Sequence, residues 1–255
     1  MKRFIALLLA ALMLLGISSA LADTWTCPKC GRMNDGMFCP DCGTANPGST
    51  NIQVGDYVYL GHWEQNDYTG DGAESIRWLV IDKSGSLLFL LSDKALAVQP
   101  FNAKSDGTAW AGSSLRRWLN YDFYNGAFTK DEMAAIQTTK VEDTIDHTHP
   151  EVNTASRFSG ITEDKVFCLS YLEVREMLSV QQACCDPTTV VVKHKNKIKT
   201  QKVDGRATCI WWLRTSAYKN NAMVVAFDGF STAYEHYHQV CVRPALWVDA
   251  SAVTQ

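Results

Sequence analysis

The chain is expected to fold as an α+β domain behind a small cysteine-based module, and three observations predict this. Strand-like apolar runs occupy both ends of the long C-terminal portion, and Ser/Thr-x-x-Glu capping boxes mark short helices between them. Two Cys-x-x-Cys pairs stand in a short stretch near the N-terminus. The 255 residues are 46% hydrophobic and 20% charged, which excludes disorder over most of the length. With 24 basic against 27 acidic side chains, the chain also lacks the clustered positive charge a nucleic-acid binder needs.

Residues 1–22 read as an export signal. Lys2 and Arg3 are followed by an apolar run from Phe4 to Ile17, and Ala20-Leu21-Ala22 places small residues where a signal peptidase reads, so cleavage is expected after Ala22. The competing reading is a membrane anchor, which needs roughly 18 or more continuous apolar residues. This run is shorter and ends in Gly16, Ser18 and Ser19. No cysteine stands at the cleavage point to invite lipoprotein processing, and no later stretch is apolar enough to span a bilayer. A secreted or cell-surface location is therefore expected, for a mature chain with 22 basic and 27 acidic residues and a formal charge of −5.

Residues 23–46 hold the sharpest local signal. Cys27-Pro28-Lys29-Cys30-Gly31 is answered after eight residues by Cys39-Pro40-Asp41-Cys42-Gly43. Two residues between thiols turn both sulfurs to one side of a tight loop, and Gly after each pair lets backbone amides face the thiolates. Four thiolates complete a tetrahedron, so Cys27, Cys30, Cys39 and Cys42 are expected to hold structural zinc in a zinc ribbon. The short gap resembles compact bacterial zinc ribbons more than an iron-binding rubredoxin. Two disulfides are the rival, since exported proteins meet oxidising conditions. Met37 and Phe38 can cap so small a core, and metal binding would supply its folding energy.

Thr44 to Gln53 is rich in Asn, Gly, Pro, Ser and Thr without apolar period, which makes 47–53 a linker and 54–250 the main domain. Val54 to Trp63 alternates like a strand; Ile76 to Asp82 and Ser86 to Ser92 form a hairpin around Lys83-Ser84-Gly85. Leu87 to Leu91 is apolar on both faces and should be a central, covered strand. Ser114 is expected to cap a helix bearing Leu115, Trp118 and Leu119, and Thr129 with Glu132 and Ser170 with Glu173 are capping boxes. Thr188 to Val192 and Ile198 to Val203 read as strands flanking an exposed turn at His194 to Lys197. Further strands are expected at Cys209 to Arg214, Met223 to Phe227 and Val240 to Val248.

Five blocks in this order carry a family resemblance. They are Trp63-Glu64-Gln65-Asn66 with Ile76-Arg77-Trp78-Leu79-Val80-Ile81, then Trp110 ahead of Ser114-Leu115-Arg116-Arg117-Trp118-Leu119-Asn120 with Phe123 and Ala127-Phe128. Asp164-Lys165-Val166-Phe167-Cys168-Leu169-Ser170 with Glu173, Trp211-Trp212-Leu213-Arg214-Thr215 and Val242-Arg243-Pro244-Ala245-Leu246 follow. Over most of residues 54 to 248 the chain resembles the bacterial domain-of-unknown-function family 6273, found mainly in secreted and surface proteins of Gram-positive bacteria. Cys168, Thr215 and Cys241 depart from that family's usual Leu, Ser and Gly. By analogy, the order of elements also looks like the C-type lectin-like fold and its formylglycine-generating relatives, although fold does not carry function.

Several groups are candidates for chemistry. Trp211, Trp212 and Arg214 are the expected ligand-binding set: aromatic faces stack on sugar rings or peptide side chains, and Arg offers planar bidentate donors. The plainer reading is core, since neighbours on a strand face opposite ways and at least one Trp is then buried. Arg214 and Arg243 can equally pair with Glu64, Asp228 or Glu173 to hold the terminal strands.

His147 with His149, near Asp143 and Asp146, and His236 with His238 are the candidates for an open metal site, against solvated loop side chains. Cys209 with Cys241, or Cys184-Cys185, are the pairs a formylglycine-type oxidase would use, against a disulfide or buried thiols. Lys193, Lys195, Lys197, Lys199 and Lys202 read as a solvated edge or as a contact to anionic wall polymer. Since no catalytic constellation is assembled, the expectation is an exported, non-enzymatic recognition module for a glycan, wall polymer or protein, with no nucleic-acid partner. A formylglycine-type oxidase, a metal-assisted hydrolase and a structural surface component are the alternatives.

Overall fold

The computed structural model describes residues 25–34, 40–42, 52–66, 68–104, 109–142, 160–194, 198–217, 221–235 and 238–255. Contacts divide the chain into two units, Met1–Asn46 and Pro47–Gln255. In the first, Trp25–Thr26 (β1) and Met33–Asn34 (β2) pair antiparallel around the first cysteine pair. Residues 1–22, expected as an export signal, and Cys39 lie outside the described residues.

In the second unit, the expected N-terminal strands form as Tyr57–Trp63 (β3), Glu74–Ser84 (β4) and Leu87–Ser92 (β5), followed by Lys94–Ala95 (β6) and Ala97–Gln99 (β7). A helical stretch then runs through Ser114–Trp118 (α1), a π-helical turn at Leu119–Phe123, and Tyr124–Ala127 (α2), before Lys130–Ala135 (α3). Thr139–Glu142 (β8) and Ile161–Asp164 (β9) make an antiparallel ribbon. Tyr171–Met177 (α4), Val180–Ala183 (α5), Asp186–Pro187 (β10) and Thr189–Val192 (α6) follow. The remainder is sheet: Thr200–Val203 (β11), Arg206–Cys209 (β12), Trp211–Ser216 (β13), Asn221–Val225 (β14), Ser231–Glu235 (β15), Val240–Val242 (β16) and Ala245–Asp249 (β17).

Two sheets organise this unit. One is antiparallel in the order β17-β5-β4-β3, and the other runs β15-β14-β13-β16-β7 with one parallel pairing, β13 to β16. β5 is central and buried after its first residue, as its continuous apolar run demands. Both edges of the first sheet are covered. Tyr59 on β3 exchanges backbone bonds with Thr254, while Ile136 and Phe167 bridge to β17. The main unit thus takes in Ser251 to Thr254, and at its start Ile52, which is 2% exposed and accepts a bond from Lys83 Nζ.

The capping boxes of α3 and α4 form as expected, and the cap of α1 is Ser113 rather than Ser114. Thr188 to Val192 is not a strand. Thr188 accepts the Val191 N–H and caps α6, and the hairpin lies one step later, β11 to β12, turning on Asp204 and Gly205 with both φ angles positive. That Asp-Gly pair is a local hairpin signal in its own right. The expected strand from Val240 to Val248 breaks at Arg243-Pro244, where proline withholds a ladder donor and the chain passes from one sheet to the other.

β3 and β4 slip register between Tyr59 and His62, and Gly61 sits in that bulge at φ +68°. A Cβ there would meet the Phe128 ring at 2.6 Å and the Ala127 carbonyl at 2.8 Å. Gly61 N–H also donates to Glu132 Oε1. Burial pushes the Glu132 carboxyl up, but this bond and those from Thr129 outweigh it and hold the group below its ordinary range. Gly61→Ala is expected to destabilise by about 2–3 kcal/mol through left-handed strain plus overpacking, read as a lower urea midpoint at unchanged slope. An unchanged midpoint would show that the bulge relaxes freely.

Candidate functional site

A concavity of about 630 Å³ lies where α1 meets the end of β9. The fold makes it from polar side chains. Asp164 closes β9 with its carboxylate fully buried, and four donors converge on it. Trp110 Nε1 and Thr162 Oγ1 donate to Oδ2 at 2.9 and 2.7 Å. Arg116 Nε and Asn120 Nδ2 donate to Oδ1 at 2.6 and 3.3 Å.

The partners are themselves fixed. Arg116 also donates to the carbonyls of Ala111 and Glu163, and Asn120 Oδ1 accepts the Lys165 N–H at 2.7 Å. Ser113 caps α1 at Arg116 N, while Ser114 Oγ accepts the Ala103 N–H and so ties the opposite wall to the helix. Lys104, Arg117 and Tyr121 are exposed at the rim, Tyr121 by 66%. The groove therefore offers a fixed, hydrogen-bonded floor under a rim that carries Lys104, Arg117 and Tyr121 together with the exposed carboxylate of Glu163. Among the described residues, no Cys or His lines it.

The sequence-predicted platform lies elsewhere. Trp211 and Trp212 are both 0% exposed, their indole N–H groups donating to the carbonyls of Ala183 and Gln99. β13 is buried at every position, so alternation along it leads from one covered face to another and no stacking face is presented. Arg214 is buried as well. It forks onto Glu173 with contacts of 2.5 and 2.7 Å and also donates to the carbonyls of Glu142 and Cys168. These three residues are core in this structure, which corrects their assignment as ligand-binding. Arg243 bonds the carbonyls of Ser92 and Gln182 beneath the Trp211 ring.

Asp143, Asp146, His147, His149, His236, Lys195 and Lys197 lie outside the described residues. His238 stands half exposed against Glu235, 3.1 Å away. The Cys209 and Cys241 thiols are buried, and burial pushes the Cys209 group well above an ordinary thiol.

In the N-terminal unit, three of the four expected metal ligands come together. Cys27 Sγ lies 3.5 Å from Cys42 Sγ, which lies 3.7 Å from Cys30 Sγ, and the three could hold a metal ion. A tetrahedral ion with metal–sulfur bonds of about 2.3 Å spaces its sulfurs about 3.8 Å apart, so the cluster fits such an ion. Burial would raise the Cys27 thiol, but the N–H groups of Cys30 and Lys29 and the neighbouring thiols bring it down to about 6. Arg32 pairs with Asp41 across the two halves of this unit.

Among the described residues, no helix is long and apolar enough to cross a membrane. No curated protein and no solved structure matches the chain. The family described as "Domain of unknown function (DUF6273)" matches over residues 85–250. That span begins in the β4–β5 turn, so it omits β3 and β4, half of the first sheet. It contains Asp164 and its four donors, Trp110, Arg116, Asn120 and Thr162. Since residues 85–250 are well over half of the 255, the chain belongs to the DUF6273 family.

Proposed function

We propose that the chain is an exported, non-enzymatic recognition module that binds a cell-wall glycan or wall polymer in the groove above Asp164. The observation that carries this reading is the floor itself: four donors on one buried carboxylate hold Arg116, Trp110 and Asn120 in place before any ligand arrives. Such preorganisation lowers the ordering cost of binding. Exposed Lys104, Arg117 and Tyr121 give the rim hydrogen-bonding, charge and stacking capacity suited to a polyhydroxylated or anionic polymer. Export rests on the signal-like residues 1–22. In the same reading Cys39 joins Cys27, Cys30 and Cys42 around structural zinc. The main unit is C-type lectin-like, a reading supported by a sheet that carries both its early and its last strands.

The test is binding of the full chain to purified cell walls and soluble wall glycans. Saturable binding is expected, and the triple variant Lys104→Glu, Arg117→Glu, Tyr121→Ala should weaken it at least about tenfold, the loss of roughly 1.4 kcal/mol of contact energy. All three side chains are exposed, so the fold should not change. Undiminished binding by the variant, or turnover of a wall substrate by the pure protein, would sink the reading.

A further inference from the structure

Five cysteines lie beyond the N-terminal unit, and the fold sorts them. Cys168 is buried next to Arg214, and Cys184 packs beside Gly229. The remaining three, Cys185, Cys209 and Cys241, are at most 1% exposed and are thiols in this structure, Cys185 Sγ donating to the Asp186 carbonyl at 3.6 Å, and the Cys209 thiol neighbours both of the others.

Backbone register separates the two possible partners. Cys185 and Cys209 stand directly opposite one another in an antiparallel bridge, with Cys209 N–H donating to the Cys185 carbonyl at 2.8 Å. Directly opposed residues of that kind have Cα atoms about 5.5 Å apart, inside the roughly 4.4–6.8 Å that a disulfide spans. Cys241 instead pairs with Trp211 in the parallel ladder and donates its N–H to Ile210. Its register partner therefore lies two residues beyond Cys209, so Cys241 is not directly opposite Cys209.

We propose that Cys185 and Cys209 form a disulfide as the chain folds, stapling the end of α5 to β12 and leaving Cys241 a thiol. In the cell this rests on the export reading, which supplies an oxidant: a disulfide carried by a thiol oxidoreductase or a small-molecule disulfide. One cysteine thiolate attacks that disulfide, forms a mixed disulfide and expels one thiolate of the oxidant. The second cysteine thiolate attacks the protein sulfur of the mixed disulfide, closes the Cys185–Cys209 bond and expels the other. Two electrons pass from the cysteine pair to the oxidant, whose two thiolates take up the two protons. The exchange precedes completion of the core, because burial hides both sulfurs and pushes both thiols well above their ordinary range.

The test compares two preparations of the full chain by peptide mapping after thiol alkylation in denaturant. One is refolded from the reduced state in a glutathione redox couple, and the other is recovered from a host that can export it. In the refolded chain a cross-linked Cys185–Cys209 peptide with alkylated Cys241 is expected, and reducing it before unfolding should lower Tm by roughly 5–12 °C. Alkylated Cys185 and Cys209, or a Cys209–Cys241 peptide, would overturn the pairing. The same bond in the exported chain supports both readings. Free thiols there beside a bond in the refolded chain would overturn export and leave the pairing standing.

Discussion

Asp164→Ala is expected to destabilise the main unit by about 3–5 kcal/mol, the range for removing one partner from a buried charged pair. The carboxylate is fully buried and is the shared acceptor of Trp110, Thr162, Arg116 and Asn120. Without it, the Trp110 indole N–H is an orphan in a site with 0% exposure, and Arg116 loses its counter-charge. Arg116 keeps 29% of its side chain in solvent, which moderates the loss, whereas Trp110 has no such outlet. Asp164→Asn should cost less, since one oxygen still accepts, yet its amide turns donors toward donors. Denaturant midpoints measure both effects, and the Arg116→Met, Asp164→Ala cycle should show strong coupling between the two sites. A loss below about 1 kcal/mol for Asp164→Ala would mean that water replaces the carboxylate, and the groove floor would then not be preorganised.

Much of the fold was legible because its signals are local. The run Leu87 to Leu91 announces a covered strand, and Thr129 with Glu132 announces a helix start, since each is decided by neighbours within a few residues. The Asp204-Gly205 turn was equally local, and giving the lysine-rich stretch the turn instead misplaced a hairpin and hid α6. The candidate site was legible only in part. Trp110, Arg116, Asn120 and Asp164 all stand in blocks that carry the family resemblance, but their association spans separations of 44 to 54 residues, which no period reveals. Trp211 and Trp212 suggest a stacking platform by residue type alone, while alternation predicts that at least one of them is buried. Here β13 has β14 and β16 on its sides and is buried at every position, so both are covered, which depends on the layers packed over the strand and not on its own sequence.

Metal removal from the N-terminal unit should have the largest effect of all, because in so small a module metal binding and folding are one step. Its described interactions include the two-residue pairing of β1 with β2, turn bonds, the Asn34 Nδ2 bond to the Arg32 carbonyl, the Arg32–Asp41 pair and the three thiols. Structural zinc in such small modules contributes roughly 10–16 kcal/mol of apparent binding energy near pH 7, which is also their folding energy. Chelation of the proposed zinc is therefore expected to unfold the unit and make Cys27, Cys30, Cys39 and Cys42 react together with a thiol reagent. The sign with pH follows from the chemistry: the ligands bind as thiolates, so acid releases the metal and affinity rises with pH until all four are deprotonated. Cobalt(II) in place of zinc reports geometry directly, since a tetrahedral thiolate site gives intense visible bands that a hydrated ion does not. Cys39→Ser should weaken those bands and lower affinity, with Cys27, Cys30 and Cys42 still holding the ion. If cobalt gave no bands and the four cysteines stayed unreactive without metal until reduced, the pairs would be disulfides instead. The 3.5 and 3.7 Å spacings of Cys42 Sγ to Cys27 and Cys30 speak for the metal, being close to the edge of a zinc–thiolate tetrahedron and far from the roughly 2 Å of a sulfur–sulfur bond.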